Sequence, residues 1–259
     1  MHSLWPLSED ATARELSETD LEQLYDYPAG YDRPWVQANF VSAADGAVSL
    51  ADRSEGLSHP ADKRIFGLGR DLADVILVGA GTARAEDYKG VKATQRRLDR
   101  RRRLGLADLP PIAVVSARCS LDPAAGLFQR TNVAPIVITT TAAPADRRNA
   151  LEAAGAELIV AGTERVGPAT MLAELAARGY YRINCEGGPH LLGELLAEDL
   201  VDQLCLTLAP LLAGPGPGRI VAGPAVEAAR QLQLSSILHE DGFCMFRYTR
   251  GDRGTTEQH

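Results

Sequence analysis

The chain has 259 residues, 45% of them hydrophobic and 24% charged, with a formal net charge of −7 at pH 7. That length buries a full core as one large domain or two small ones, and the acidic balance argues against a nucleic-acid binder, whose footprint is basic. No window approaches the run of about 18 uninterrupted apolar residues that a membrane-spanning helix needs, so a soluble protein without a membrane partner is expected.

The N-terminal stretch "MHSLWPLSEDATARELSETD" is too acidic and polar for a signal peptide. Helical signals run over residues 8–27, with Thr19 and Glu22 at capping-box spacing before "LEQLY"; residues 1–30 read as a helical extension. "WVQANFVSAADGAVSL" (Trp35–Leu50) reads as a strand, a break at Asp45-Gly46 and a second short apolar stretch. "PADKRIFGLGRDLA" follows as a helix with proline in its first turn. "DVILVGAGT" is a continuous apolar run ending in glycines, as expected of a strand buried on both faces. The block "RRLDRRRR" (Arg96–Arg103) reads as a solvated face, with a phosphate or partner contact as the alternative.

Strand-like and helix-like segments then alternate: "IAVVSA", "APIVITT", a helix over 144–154, "AELIV", a helix over 168–178, "YRINC" and a helix over 189–198. That alternation indicates an α/β fold with a mainly parallel central sheet and helices on both faces. "LVDQLCLTLAPLL", the Gly/Pro-rich loop Ala213–Pro224 and "LQLSSILHEDGFCMFRYTR" add strands without full helices between them. Asp241-Gly242 between apolar runs signals a C-terminal antiparallel hairpin. One domain over 31–250 is expected, with residues 251–259 a disordered tail.

Cys119, Cys185, Cys205 and Cys244 are scattered and form no CxxC pair, which fits reduced core cysteines of a cytoplasmic protein. His59, His190 and His239 stand far apart, so no metal site is expected. Gly79 and Gly81 start a dinucleotide-type fingerprint, but Arg84 stands where its third glycine belongs. Glu186-Gly187-Gly188-Pro189 forms a second glycine turn between strand and helix, where bare backbone N–H groups suit a phosphate. Asp45 is either an Asx-turn residue or an acid facing a cleft, where burial would raise its pKa. Glu186 is either a helix-capping acid or an acceptor for a ligand amine or hydroxyl.

Three segments together, "ANFVSAADGA", "GLSHPADKRIFGLGRDLADVILVGAGTARAED" and "INCEGGPHLLGELLAEDLVDQLCLTLAPLLAG", resemble the reductase domain of bifunctional riboflavin-biosynthesis enzymes. More closely, they resemble the stand-alone actinobacterial pyrimidine reductase family, from about Pro34 to Tyr248. The resemblance implies a dihydrofolate-reductase-like fold, NADPH as hydride donor and a homodimer. By the same resemblance Val41, Leu57, Thr82 and Glu86 match cofactor-contacting positions. The turn of Gly188, Pro189, His190, Leu191 and Leu192 would wrap the pyrophosphate, Gly79, Gly81 and Gly187 would help to hold the cofactor, and Ser116 and Arg118 would grip the 2′-phosphate. Asp45, Arg70 and Glu186 match substrate-side positions, Asp45 as the catalytic residue assisting protonation and Arg70 as the phosphate anchor. Asn39, two residues before Val41 on the same strand face, joins them.

The chain departs from the family in three places. Ala43-Ala44-Asp45-Gly46 stands for Ser-Leu-Asp-Gly, and Leu57 stands for a tryptophan. After Asp87, "YKGVKATQRR" replaces a proline and a substrate-binding arginine, leaving Lys89, Lys92 or Arg96 as substitutes. The function implied is NADPH-dependent hydride transfer to a C=N or C=O carbon of a pyrimidine- or pterin-like small molecule, foremost the 5-amino-6-ribosylamino-uracil phosphate of riboflavin synthesis. The rivals are a dihydrofolate reductase-type activity and a regulator that holds NADP without turnover.

Overall fold

The computed structural model describes residues 1–6, 14–30, 32–51, 53–216, 218–226 and 228–251. The expected disordered tail therefore lies, beyond Gly251, outside the described residues. In chain order the elements are β1 (His2–Trp5), β2 (Arg14–Glu15), α1 (Glu18–Tyr25), β3 (Trp35–Ala43), a 3-10 turn (Glu55–Leu57), α2 (Pro60–Leu72), β4 (Val75–Gly79) and α3 (Ala80–Ala85). They continue with α4 (Gln95–Arg103), β5 (Ile112–Val115), α5 (Gly126–Gln129), β6 (Ile136–Thr139), α6 (Ala145–Ala153) and β7 (Glu157–Val160). The last are α7 (Pro168–Ala176), β8 (Arg182–Cys185), α8 (Pro189–Ala197), β9 (Gln203–Ala209), β10 (Leu232–Glu240) and β11 (Phe243–Arg250).

All the strands share one sheet in the order β2-β1-β10-β11-β9-β3-β8-β4-β5-β6-β7. From β9 to β7 every pairing is parallel, and from β9 to β2 every pairing is antiparallel. The α/β class with a mainly parallel sheet is thus the one the alternation indicated. Both faces of the parallel part are covered, which is why its strands read as unbroken apolar runs. Val75 and Leu77 of β4 pack with Met171, Leu175, Leu191 and Leu195 of α7 and α8. Ile76 and Val78, pointing the other way, pack with Leu127, Phe128 and Leu151 of α5 and α6. A further cluster seats α1 and α2 on β9, β10 and β11 through Leu21, Tyr25, Ile65, Leu68, Cys205, Leu238 and Met245. The Asp241-Gly242 hairpin forms with φ of 50° and 84° at its two central residues, as a type I′ turn requires.

Three sequence expectations need correction. Of the helical signals over 8–27, residues 8–13 lie outside the described residues and the helix begins only at Glu18. Its capping box is Ser17 with Asp20, in place of Thr19 with Glu22: the Ser17 hydroxyl accepts from the Asp20 N–H at 3.2 Å, and the Ser17 N–H donates to the Asp20 carboxylate at 2.8 Å. Where a helical extension was expected, β1 pairs with β10 and β2 with β1, adding two strands to the sheet. The second short apolar stretch, after Asp45-Gly46, carries an isolated bridge between Leu50 and Arg53.

The arginine block is a solvated face only in part, since Arg96, Arg102 and Arg103 are exposed while Arg100 and Arg101 are buried, and acids of the same chain occupy it in place of a phosphate. It is α4, and its side chains tie α1 to α2. Arg100 donates to Glu22 at 2.7 Å and Asp71 at 2.6 Å, Arg96 bonds Glu18, Arg103 bonds Glu22 and Arg97 bonds Asp71. Arg101 is wholly buried and donates to the carbonyls of Ala107 (2.6 Å), Asp71 (3.0 Å) and Ala73 (2.6 Å). Two of those oxygens end α2, where a helix lacks internal donors and favours a cation. Burial pulls this guanidinium down to about 10, still charged at neutral pH.

Arg101 and Arg102 therefore make a matched comparison. Arg101→Ala strands buried carbonyls and should destabilise the fold by about 3 kcal/mol, a fall in Tm of roughly 6–12 °C. Arg102→Ala removes only the exposed pair with Asp108 and should change stability by less than about 1 kcal/mol. Thermal denaturation of the two variants side by side reads the difference, and equal shifts would contradict this role for Arg101.

Candidate active site

After β3 the chain builds β4, β5, β6 and β7 outward, then returns to lay β8 between β3 and β4. Parallel strands end on one edge of a sheet, and a reversal of strand order opens a crevice there. A cleft of about 1330 Å³ occupies this position, at the C-terminal ends of β3, β8, β4 and β5. Asn39, Val41, Arg70, Gly79, Gly81, Thr82, Glu86, Ser116, Arg118, Glu186, Gly188, Pro189, His190 and Leu191, all expected from the sequence, line it.

The glycine turn after β8 is dictated by contact. Gly187 has φ +85°, and a Cβ there would stand 2.9 Å from the Phe40 ring. A Cβ on Gly188 would stand 2.3 Å from Thr82 Oγ1. The Gly187 carbonyl accepts the Gly79 N–H at 2.7 Å, so the two strand-end turns are fastened to each other. Gly79 caps α3 and Gly188 caps α8, neither with a side-chain bond. Both helices thus begin beside the cleft with first-turn N–H groups that have no intrahelical partner.

At the other end lies Glu186, whose side chain is 1% exposed. A carboxylate so placed is costly unless its lone pairs are filled. Arg70 of α2 fills two, Nε to Oε1 at 2.7 Å and Nη2 to Oε2 at 2.6 Å. The Tyr88 hydroxyl donates to Oε2 at 2.7 Å and Asn184 Nδ2 to Oε1 at 3.0 Å. The Arg70 guanidinium lies over the rings of Phe66 and Tyr88, 4.5 Å and 5.4 Å from their centroids. Burial works against the charge on Arg70, yet the Glu186 carboxylate outweighs it and holds the guanidinium above the ordinary arginine range. Burial, reinforced by Glu186, pushes the Tyr88 hydroxyl well above the usual tyrosine value. Buried amides continue inward: Gln203 Nε2 donates to Gln37 at 2.6 Å, and Gln37 Nε2 to Asn184 at 3.5 Å. Asn39 Nδ2, also buried, has no hydrogen-bond partner among the described residues, and its residue lines the cleft.

Asp45 is not in this cleft. It is exposed and lines a separate hollow of about 460 Å³ with Gly214 and Ile220. Its carboxylate accepts the N–H groups of Ala213 and Gly214 at 2.8 Å each and of Ala47 at 3.3 Å. Those donors, Gly214 foremost, hold its carboxyl below the usual range. The Asx-turn alternative describes it, and the buried acid with a raised pKa does not. Leu57 also departs from expectation, since it is fully buried against Ala43, Ala47 and Ala209. Leu192 is buried too, while Gly187 acts through its carbonyl. Arg70 lines the cleft as expected, with its Nε and Nη2 engaged by Glu186.

Sequence reasoning passed over Asn184 and Tyr88. Asn184 was detectable as a polar residue in an apolar strand, two positions before Glu186 and so on its face. Tyr88 lies in an irregular segment, and nothing local in "EDYKG" marks it. Among the described residues no group of acidic, Cys and His side chains could hold a metal ion, and no helix is long and apolar enough to cross a membrane.

A family model described as RibD C-terminal domain matches residues 34–241. The 2,5-diamino-6-ribosylamino-4(3H)-pyrimidinone 5′-phosphate reductase of Archaeoglobus fulgidus is 30% identical over 184 residues, 70% of this chain and 83% of that one. The protein of the same name from Methanothermobacter thermautotrophicus is 31% identical over 216 residues, 81% of this chain and 95% of that one. Among solved structures, a pyrimidine reductase-like protein from Corynebacterium diphtheriae matches with a TM-score of 0.78 at 27% identity, covering 90% of this chain and 99% of that chain.

The Tyr88 hydroxyl yields a pH dependence. Its folded-state pKa is raised, so above the unfolded value of about 10 the folded chain keeps a proton that the unfolded chain has lost. Stability is then complete below about pH 10 and falls above it by up to about 1.4 kcal/mol per pH unit for this one group. Urea unfolding from pH 8.5 to 11 should show that fall, and Tyr88→Phe should make it shallower; an identical slope in the variant would contradict the buried donor.

Proposed function

This chain belongs to the RibD C-terminal domain family, and on that premise we propose that it is an NADPH-dependent reductase of a ribosylamino-pyrimidine 5′-phosphate. The observation that carries the reading is the two-ended cleft, with amide-bearing glycine turns at one end and a fully hydrogen-bonded carboxylate at the other. The cofactor end fits a dinucleotide: Gly79 and Gly188 leave no side chain between the starts of α3 and α8 and a pyrophosphate. Ser116 and the exposed Arg118 would meet the 2′-phosphate, a task suited to a guanidinium fork. Val41 and Thr82 would border the nicotinamide half, and Glu86, which accepts the Ser54 N–H at 2.7 Å, would hold the neighbouring loop. When bound, NADPH supplies the hydride.

The chain's own residues orient the acceptor. Glu186, held immobile by Arg70, Tyr88 and Asn184, sets a fixed polar wall for the ring, and Asn39 Nδ2 donates to a ring carbonyl, gaining the partner it lacks. Reduction adds hydride to the carbon of a C=N bond and a proton from solvent to its nitrogen, with placement as the protein's contribution. The relatives are named for the 2,5-diamino pyrimidinone, which puts that form ahead of the deaminated uracil expected from the sequence. Either substrate places the reaction in riboflavin biosynthesis.

The same reading makes the protein a cytoplasmic homodimer. Its four free cysteines suit a reducing compartment. On one face of the antiparallel strands Leu204, Leu206, Leu208, Phe246, Tyr248 and Ile237 are half-buried side by side, bordered by exposed Leu234 and Trp5. An apolar patch of that extent suits a second copy of the chain.

NADPH oxidation by the purified protein with the diamino pyrimidinone phosphate, its deaminated uracil form and dihydrofolate tests the activity. Turnover of a ribosylamino-pyrimidine well above that of dihydrofolate is expected, and NADPH binding without oxidation of any of the three would replace the enzyme with a cofactor-holding regulator. Arg118→Ala should reduce the preference for NADPH over NADH by about tenfold, roughly 1.4 kcal/mol; an unchanged ratio places the 2′-phosphate elsewhere. Asp45→Asn should leave kcat within about threefold, because Asp45 serves the turn, and loss of turnover with the fold intact would return it to the reaction.

A further inference from the structure

We propose that the anionic end of the substrate is received by Lys63 and Lys92 in place of Arg70. This rests on the reading of the cleft as a site for a phosphorylated ribosylamino-pyrimidine. The resemblance assigns the phosphate to Arg70, but that guanidinium gives its Nε and Nη2 to Glu186 and lies over the rings of Phe66 and Tyr88. Drawing it toward a phosphate would leave a buried carboxylate without its counter-charge.

The other cations around the cleft narrow the choice. Lys89 pairs with Asp87 at 2.9 Å, Arg97 bonds Asp71 and Arg165 pairs with Glu194 at 2.7 Å. Among the described residues, the cleft-lining cations without a carboxylate partner are Lys63, Lys92 and Arg118. Arg118 follows β5 beside Ser116, at the cofactor end. Lys63 and Lys92 are left for the substrate end, on α2 and on the segment between α3 and α4.

Their placement suits an elongated ligand. Lys63 and Arg70 stand on one face of α2, two turns or about 10 Å apart, with cleft-lining Phe66 between them. A pyrimidine against Glu186 would carry its sugar across Phe66 and present its phosphate to Lys63, in the first turns of α2, where the helix dipole also favours an anion. The carboxylate beside it, Asp62, is engaged by the Ser58 hydroxyl at 2.7 Å. Lys92 comes from the other wall, and its backbone is held: Arg97 Nη1 donates to the Lys92 carbonyl at 2.6 Å while Arg97 Nε bonds Asp71. One arginine thereby fixes both walls. Two ammonium groups on flexible stems bind a phosphate as point charges.

The test separates the anion site from the reaction. Binding of ribose 5-phosphate and of ribose to the NADPH-loaded protein is measured by calorimetry for the wild type, Lys63→Ala, Lys92→Ala, the double variant and Lys63→Arg. The wild type should prefer ribose 5-phosphate to ribose, the double variant should lose at least about tenfold of that affinity, and Lys63→Arg should retain it. Equal affinity of wild type and double variant for ribose 5-phosphate, or no preference over ribose in the wild type, overturns the proposal. Where the pyrimidine phosphate is turned over, the double variant should raise KM by about tenfold with kcat within about twofold. A wild type that binds ribose 5-phosphate through both lysines yet reduces neither pyrimidine keeps the anion site and refutes the reductase reading.

Discussion

A carboxylate buried at the end of the central strand is the constraint around which this protein is arranged. Desolvating Glu186 alone is prohibitive in a medium of low dielectric, so the fold must bring it compensating donors from several places at once. They arrive from α2 (Arg70), from β8 itself (Asn184) and from the segment after α3 (Tyr88). Removing any one leaves a charge partly unpaired, which is more damaging than never having buried it. The group is therefore pre-oriented, and a ligand that meets it pays little to organise it.

The arginine helix extends that logic backward. Arg101 of α4 satisfies the carbonyls that end α2, immediately beside Arg70, while Arg97 and Arg100 hold Asp71. The C-terminal turn of α2 is thus fixed from behind by α4 and from in front by Glu186. A basic block that looks like a nucleic-acid or phosphate signal is here consumed by acids of the same chain, Glu18, Glu22, Asp71 and Asp108. Composition counts charges; it does not show which are already neutralised.

Much of the fold was legible because its physics is local. β4 and β6 are buried on both faces and read as unbroken apolar runs, and the glycine turn at 187 and 188 was visible as a turn, although Phe40 and Thr82, which leave no room for a Cβ there, were not. The N-terminal strand was hidden, since β1 owes its existence to β10 more than two hundred residues away. Asp45 stayed between two readings for a related reason: its partners, Ala213 and Gly214, lie 168 and 169 residues on. Which of two chemistries an Asp-Gly pair serves depends on what lands beside it. The family resemblance located Arg70 and Glu186, but their mutual bond is a property of the assembled cleft.

The insertion of β8 between β3 and β4 also orders events in time. Gln37 and Asn184, whose side chains meet across β3 and β8, are 147 residues apart, and such distant pairings form late because a long loop must close first. The segment from β4 to β7 with its helices can gather through nearer contacts, and the hairpin of β10 and β11 through still nearer ones. Until β8 enters, these two bodies share no ladder, Arg70 faces no carboxylate and the cleft has no floor. Competence for binding should thus be among the last properties the folding chain acquires and among the first that a loosening of the central strand removes.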